Sequence, residues 1–154
     1  MCRLMLPLLV ALQMANHPVG VGDRAPQQPM IDLDGATVEL GHQRAVVTFC
    51  ATWCSPCHEA IADLLLARQR SVPFMLVLVV VGETASQARS FVKDRGIPRD
   101  VAVVLGGEAL ARVWGEDRLP TTFLVDQAGI LRHINRGYGS GFRSRVEGWL
   151  SRMP

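Results

Sequence analysis

Cys54 and Cys57, in the run Trp53-Cys54-Ser55-Pro56-Cys57, are the residues whose type and spacing could do chemistry. A C-x-x-C pair closes into a disulfide and reopens, so it stores two electrons. The run continues to His58, and C-S-P-C-H also spells the attachment pattern of a c-type haem, with the histidine as axial ligand. A third option is half of a zinc site, but a second C-x-x-C is missing and only Cys50 and His58 could complete the set.

The elements around the pair assign it roles. Residues 44–49 form a short, β-branched pattern that reads as a strand, and residues 55–70 carry Cys57, Ile61, Leu64, Leu65 and Arg68 at helical spacing. Ser55 is placed to cap that helix and Pro56 suits its first position, where a missing N–H costs nothing. Cys54 then sits at or just before the helix N-terminus, where free N–H groups and the positive end of the dipole favour a thiolate. Cys57 lies one turn further in. Cys54 is therefore expected to attack and Cys57 to resolve, with Ser55 and Pro56 tuning the pair.

The rest of the chain alternates strand and helix patterns. Residues 30–40 read as a β-hairpin around Asp34-Gly35, and residues 74–81 as a strand covered on both faces. Helices are expected over 84–95, 108–114 and 142–150. Extended pieces are expected over 101–105, 121–126 and 130–135, the last two joined by Gln127-Ala128-Gly129. The Gly- and Pro-rich residues 19–29 read as a linker. This order gives an α/β sandwich with a mixed sheet, and it places the C-x-x-C beyond the carboxyl end of an early strand, where open α/β sheets build their sites.

Two segments then carry a resemblance. Phe49-Cys50-Ala51-Thr52-Trp53-Cys54-Ser55-Pro56-Cys57 is similar to the active-site segment of thioredoxin-like proteins, in particular the exported TlpA/ResA branch. Arg118-Leu119-Pro120-Thr121-Thr122-Phe123-Leu124-Val125-Asp126, followed by Gly129, resembles that family's cis-proline segment. The likeness runs from about residue 19 to residue 150. It implies a three-layer thioredoxin-like sandwich with an N-terminal hairpin, and a redox-active Cys54–Cys57 disulfide that needs no other cofactor or metal. It also implies a cis Pro120 beside the sulfurs, with Trp53, Leu119 and Thr121 meeting the substrate. Implied partners are protein disulfides and an upstream electron donor, and the protein is expected to be a monomeric thiol-disulfide oxidoreductase, a reductant rather than an oxidant.

This chain departs from the family at three positions. Thr48 stands where thioredoxin has a buried aspartate. Ala60 stands where many members of the branch carry a glutamate, and Glu59 points to the opposite helix face. Cys50 replaces a tryptophan, as a small buried hydrophobe or as a third redox thiol. Glu83 is the alternative carboxylate for deprotonating Cys57.

Composition bounds the partners. At 154 residues, 49% hydrophobic, 19% charged and net charge +2, the chain suits one globular domain, and its scattered arginines do not form a nucleic-acid stripe. Arg3 and the apolar residues 4–12 resemble a short export signal, so residues 1–18 are read as a signal or apolar segment and 19–154 as the domain. That places the protein in the periplasm or on the outer face of the membrane, with a membrane tether possible. The segment also carries Cys2. The buried strand and the Leu119-Pro120-Thr121 segment have no place in a small haem protein, so His58 is expected to be an exposed helix residue, like His17, His42 and His133. A thioredoxin-like protein that binds copper or only docks is the remaining rival, since Cu(I) favours thiolates.

Overall fold

An unbroken apolar run needs cover on both faces, and Met75–Val81 finds it as an interior strand, β4, of a five-stranded sheet. The computed structural model describes residues 17–154, so Cys2 and the apolar residues 4–12 lie outside the described residues. Ahead of β4 come the hairpin strands β1 (Met30–Ile31) and β2 (Thr37–Val38) and the strand β3 (Ala45–Cys50). After it come β5 (Ala102–Gly106), β6 (Thr121–Val125) and β7 (Leu131–Arg136). The main sheet has the order β5-β4-β3-β6-β7. β3, β4 and β5 run parallel, whereas β6 pairs antiparallel with both β3 and β7.

Four helices complete the described residues: α1 (Ser55–Arg70), α2 (Ala85–Asp94), α3 (Glu108–Trp114) and α4 (Phe142–Arg152). Strand alternation divides the core between the two sheet faces. Val46 and Cys50 of β3 pack with Ile61 and Leu64 of α1, Phe91 of α2 and Val146 of α4. Val47 and Phe49 pack on the other face with Leu110 and Trp114 of α3 and with Ala25 and Met30. There the rings of Phe49, Trp114 and Phe123 meet tilted or edge-on, 4.9 to 6.0 Å apart, as aromatic quadrupoles favour. The result is the expected three-layer thioredoxin-like sandwich with a mixed sheet. The N-terminal hairpin docks on β5, where the Leu33 N–H donates to the Val103 carbonyl at 2.9 Å.

Two local expectations give way. Residues 19–29 are no linker: Gly22 and Leu131 are bonded through Gly22 N–H to Leu131 O (2.8 Å), and Leu131 N–H donates to Asp23 O (2.9 Å). Ala25 is buried, so this segment lies along β7 as part of the domain. The α1 cap also moves by one residue. Cys54 is the N-cap, its Sγ accepting the Cys57 N–H at 3.3 Å, and Ser55 is the exposed first helical residue. Thr84 does cap α2, with a reciprocal bond from its own N–H to the Gln87 side chain.

Candidate redox site

β3 is buried along its whole length and ends at Cys50, so the chain leaves the sheet at its carboxyl end and must turn into α1 within four residues, Ala51 to Cys54. The turn is closed by the Cys54 N–H, which donates to the Ala51 carbonyl at 3.2 Å. Cys54 and Cys57 are disulfide-bonded, with Cα atoms 5.2 Å apart. Cys54 keeps 5% of its surface exposed and Cys57 none, so of the two residues only Cys54 reaches the surface.

Antiparallel pairing brings the second segment to the same end of the sheet. Thr121 is registered against Phe49, which sets Pro120 beside the end of β3 where the cysteine loop begins. The Leu119–Pro120 bond is cis and Pro120 is buried. Its carbonyl accepts the Gly137 N–H at 2.7 Å, and the Thr121 hydroxyl donates to the Arg118 carbonyl at 2.6 Å, so the turn is tied from both sides. The Thr121 side chain is buried and its hydroxyl proton is taken by that bond, whereas Leu119 is half-buried and Trp53 is 74% exposed. The Trp53 indole is thus largely uncovered rather than packed on α1. Ser55 and Pro56 are exposed beside it.

Proton acceptors are sparse beneath the pair. Thr48 is buried and shares a 3.2 Å hydrogen bond with Thr122, and Ala60 is fully buried. Glu83 is half-buried where Gly82, at φ +68°, turns the chain back after β4, a conformation that favours glycine. Its Oε1 accepts the Thr52 hydroxyl at 2.5 Å and the Thr52 N–H at 3.2 Å. The Cys50 thiol is sealed in the core and pushed up to about 12, by burial first and by the Glu83 charge second. Glu59 is exposed.

His58 corrects the sequence reading most. It is half-buried, not exposed: Nε2 lies 2.7 Å from the Thr52 carbonyl, Nδ1 lies 2.7 Å from the Arg95 guanidinium, and its ring packs on Phe91. His133 is likewise half-buried, stacked on Trp149 at 4.5 Å, while His17 and His42 are exposed. Sequence periodicity missed the Arg95–His58–Thr52–Glu83 chain because its members come from four separate stretches: the end of α2, α1, the loop before α1 and the loop after β4. Among the described residues, no three His, Cys, Asp or Glu side chains gather to hold a metal ion. No helix among them is long and apolar enough to cross a membrane.

A parallel-antiparallel sheet that delivers one helix N-terminus and one cis-proline to the same end is the thioredoxin fold, and a reversible disulfide at that end makes its bearer a thiol-disulfide oxidoreductase. The Redoxin family model matches residues 20–149, and the chain belongs to the Redoxin family. Among curated relatives, it is 27% identical over 139 residues to the thiol-disulfide oxidoreductase ResA of Bacillus thuringiensis subsp. konkukian, covering 86% of this chain and 78% of that one. In fold it is similar to a thiol:disulfide interchange protein of the thioredoxin family from Chlorobium tepidum, with a TM-score of 0.71, 23% identity, and 86% and 96% of the two chains covered. The thioredoxin domain of a thiol-disulfide oxidoreductase from Bacteroides vulgatus matches with a TM-score of 0.73 and 20% identity, over 86% of this chain and 99% of that one.

Proposed function

We propose that this protein reduces disulfides of partner proteins outside the cytoplasm, with Cys54 as nucleophile and Cys57 as resolving thiol. In the dithiol form, the Cys54 thiolate attacks one sulfur of a substrate disulfide. A mixed disulfide forms and the other substrate sulfur leaves as a thiolate. Cys57 then loses its proton and attacks the Cys54 Sγ, which releases the substrate as a dithiol and leaves Cys54–Cys57 oxidised. An upstream dithiol donor must return the two electrons.

The observation that carries this reading is the cap. The Cys54 sulfur holds the N-cap position and its residue keeps a small exposed surface, while Cys57 is enclosed. The same cap supports the direction. A pair becomes an oxidant when its thiolate is strongly stabilised. Here the Cys54 Sγ accepts one backbone N–H, from Cys57, and Pro56 has none to add. Substrate contact falls to the Trp53 indole and the Leu119 backbone, with Thr121 holding the turn that presents them. The apolar residues 4–12 support export to the periplasm or the outer membrane face, and the protein works as a monomer.

Mixing reduced Cys57→Ser protein with an oxidised substrate such as insulin tests the roles. A mixed disulfide through Cys54 should accumulate, and Cys54→Ser should neither trap nor exchange; exchange surviving Cys54→Ser would sink the mechanism. Equilibration with glutathione tests the direction. A potential near that of thioredoxin, about −270 mV, fits a reductant, and one near about −120 mV would make it an oxidant.

A further inference from the structure

His58 is the polar side chain at this end of the fold for which disulfide exchange, as described, has no use. Both ring nitrogens are nevertheless engaged. A carbonyl only accepts and a guanidinium only donates, so Nε2 carries the hydrogen given to Thr52 and Nδ1 is the bare acceptor for Arg95. The ring is the neutral tautomer, lodged against Phe91 with centroids 5.5 Å apart, and the Arg95 guanidinium lies 5.8 Å from the same ring. Thr52 gives its N–H and hydroxyl to Glu83 on the other side. All three of its polar groups are therefore held, two residues before Cys54.

We infer that His58 is a positioning residue for Cys54, clamping the Thr52 carbonyl to the end of α2 so that the Trp53–Cys54 peptide stays against the N-terminus of α1. The inference rests on Cys54 being the nucleophile of the function proposed above. The Cys54 Sγ is bound through the single N–H of Cys57, and that contact lasts only while the preceding loop is fixed. Released at Thr52, the loop lets the sulfur drift from the N–H that stabilises its thiolate. The charged group in contact with His58 is Arg95, the residue that closes α2.

Iodoacetamide alkylation of reduced protein in a Cys57→Ser background, followed at the Cys54 peptide across the pH range, tests this. His58→Leu should slow alkylation at neutral pH by about three- to tenfold, the range of one net hydrogen bond, and move the Cys54 midpoint upward. His58→Gln, whose amide N–H reaches the same carbonyl, should restore most of the rate. Arg95→Leu, at an exposed position, should move the profile the same way as His58→Leu. A His58→Leu profile lying on the wild-type one, or His58→Gln altered as much as His58→Leu, would overturn the inference. Should His58→Leu fail to fold, Arg95→Leu against His58→Gln decides on the same terms. Alkylation reads the thiol alone, so a protein that reduces no partner disulfide yet shows these shifts would refute the proposed function and leave the clamp standing.

Discussion

Burial decides what Cys50 can do. With its thiol pushed up to about 12, by desolvation and then by Glu83, it keeps its proton at neutral pH and offers no nucleophile to the neighbouring disulfide. In reduced native protein, iodoacetamide at about pH 8 should therefore modify Cys54 and spare Cys50 until the chain is unfolded, as peptide mapping will show. Native labelling at Cys50 would revive the third-thiol reading. The same burial makes a linkage prediction. The folded value lies above the 9.0 of an unperturbed thiol, so the neutral form favours the folded state. Its contribution is whole below about pH 9 and is lost as pH climbs towards 12. The stability difference between wild type and Cys50→Ala, measured by urea unfolding with the disulfide intact, should shrink over that window. The sequence left Cys50 open between two roles because three thiols within eight residues suggest chemistry, whereas the strand that buries one of them is a tertiary fact. His58 is the converse case. Read along one helix it is a polar residue with nothing beside it, and its partner Arg95 arrives from the end of another helix.

At the scale of elements, local signals were legible and cross-element ones were not. The Thr84 cap could be read because both halves of a capping box lie three residues apart. The α1 cap was read one residue late because sulfur is not among the usual capping groups, while serine is. The β6–β7 hairpin shows the same limit. Its turn at Gln127-Ala128-Gly129 was visible, but the buried group that builds it was not. Asp126 is 1% exposed, and its carboxylate accepts the N–H groups of Ala128 (2.9 Å) and Ile130 (3.0 Å) and pairs with Arg132 Nε at 2.7 Å. Burial works to raise its pKa, yet the Ile130 N–H, Arg132 and the Ala128 N–H together outweigh burial and lower it. A lowered carboxylate stabilises the fold above its unfolded value and loses that contribution as pH falls through the folded one. Asp126→Asn sets an amide N–H against Arg132 and should cost about 2 kcal/mol at neutral pH. Urea unfolding should show that cost fading as pH drops below 3.8, and a cost independent of pH would mean that shape, not charge, builds the turn.

The whole molecule depends on a segment whose composition concealed its role. Glycine and proline in residues 19–29 announce irregular backbone, and irregular backbone may hang free or be tied down; composition does not distinguish the two. Here it is tied. Val19 N–H donates to Val113 O (3.1 Å), Gly22 N–H to Leu131 O (2.8 Å), Leu131 N–H to Asp23 O (2.9 Å) and Ala25 N–H to Gly129 O (2.8 Å). These bonds run to α3, to the outer edge of β7 and to the β6–β7 turn, and an uncovered edge strand is a template for pairing with another chain. Removing the segment through Pro29 deletes four backbone bonds, at roughly 0.5–1.5 kcal/mol each, and uncovers that edge. A chain starting at residue 30 should therefore unfold about 3 kcal/mol more easily than one starting at residue 17, and should associate with rising concentration where the longer chain stays monomeric. Urea unfolding and size-exclusion chromatography of the two chains make the comparison. Equal stability and equal monodispersity would mean that the segment is a tether after all, and that β7 is protected by its own twist and side chains.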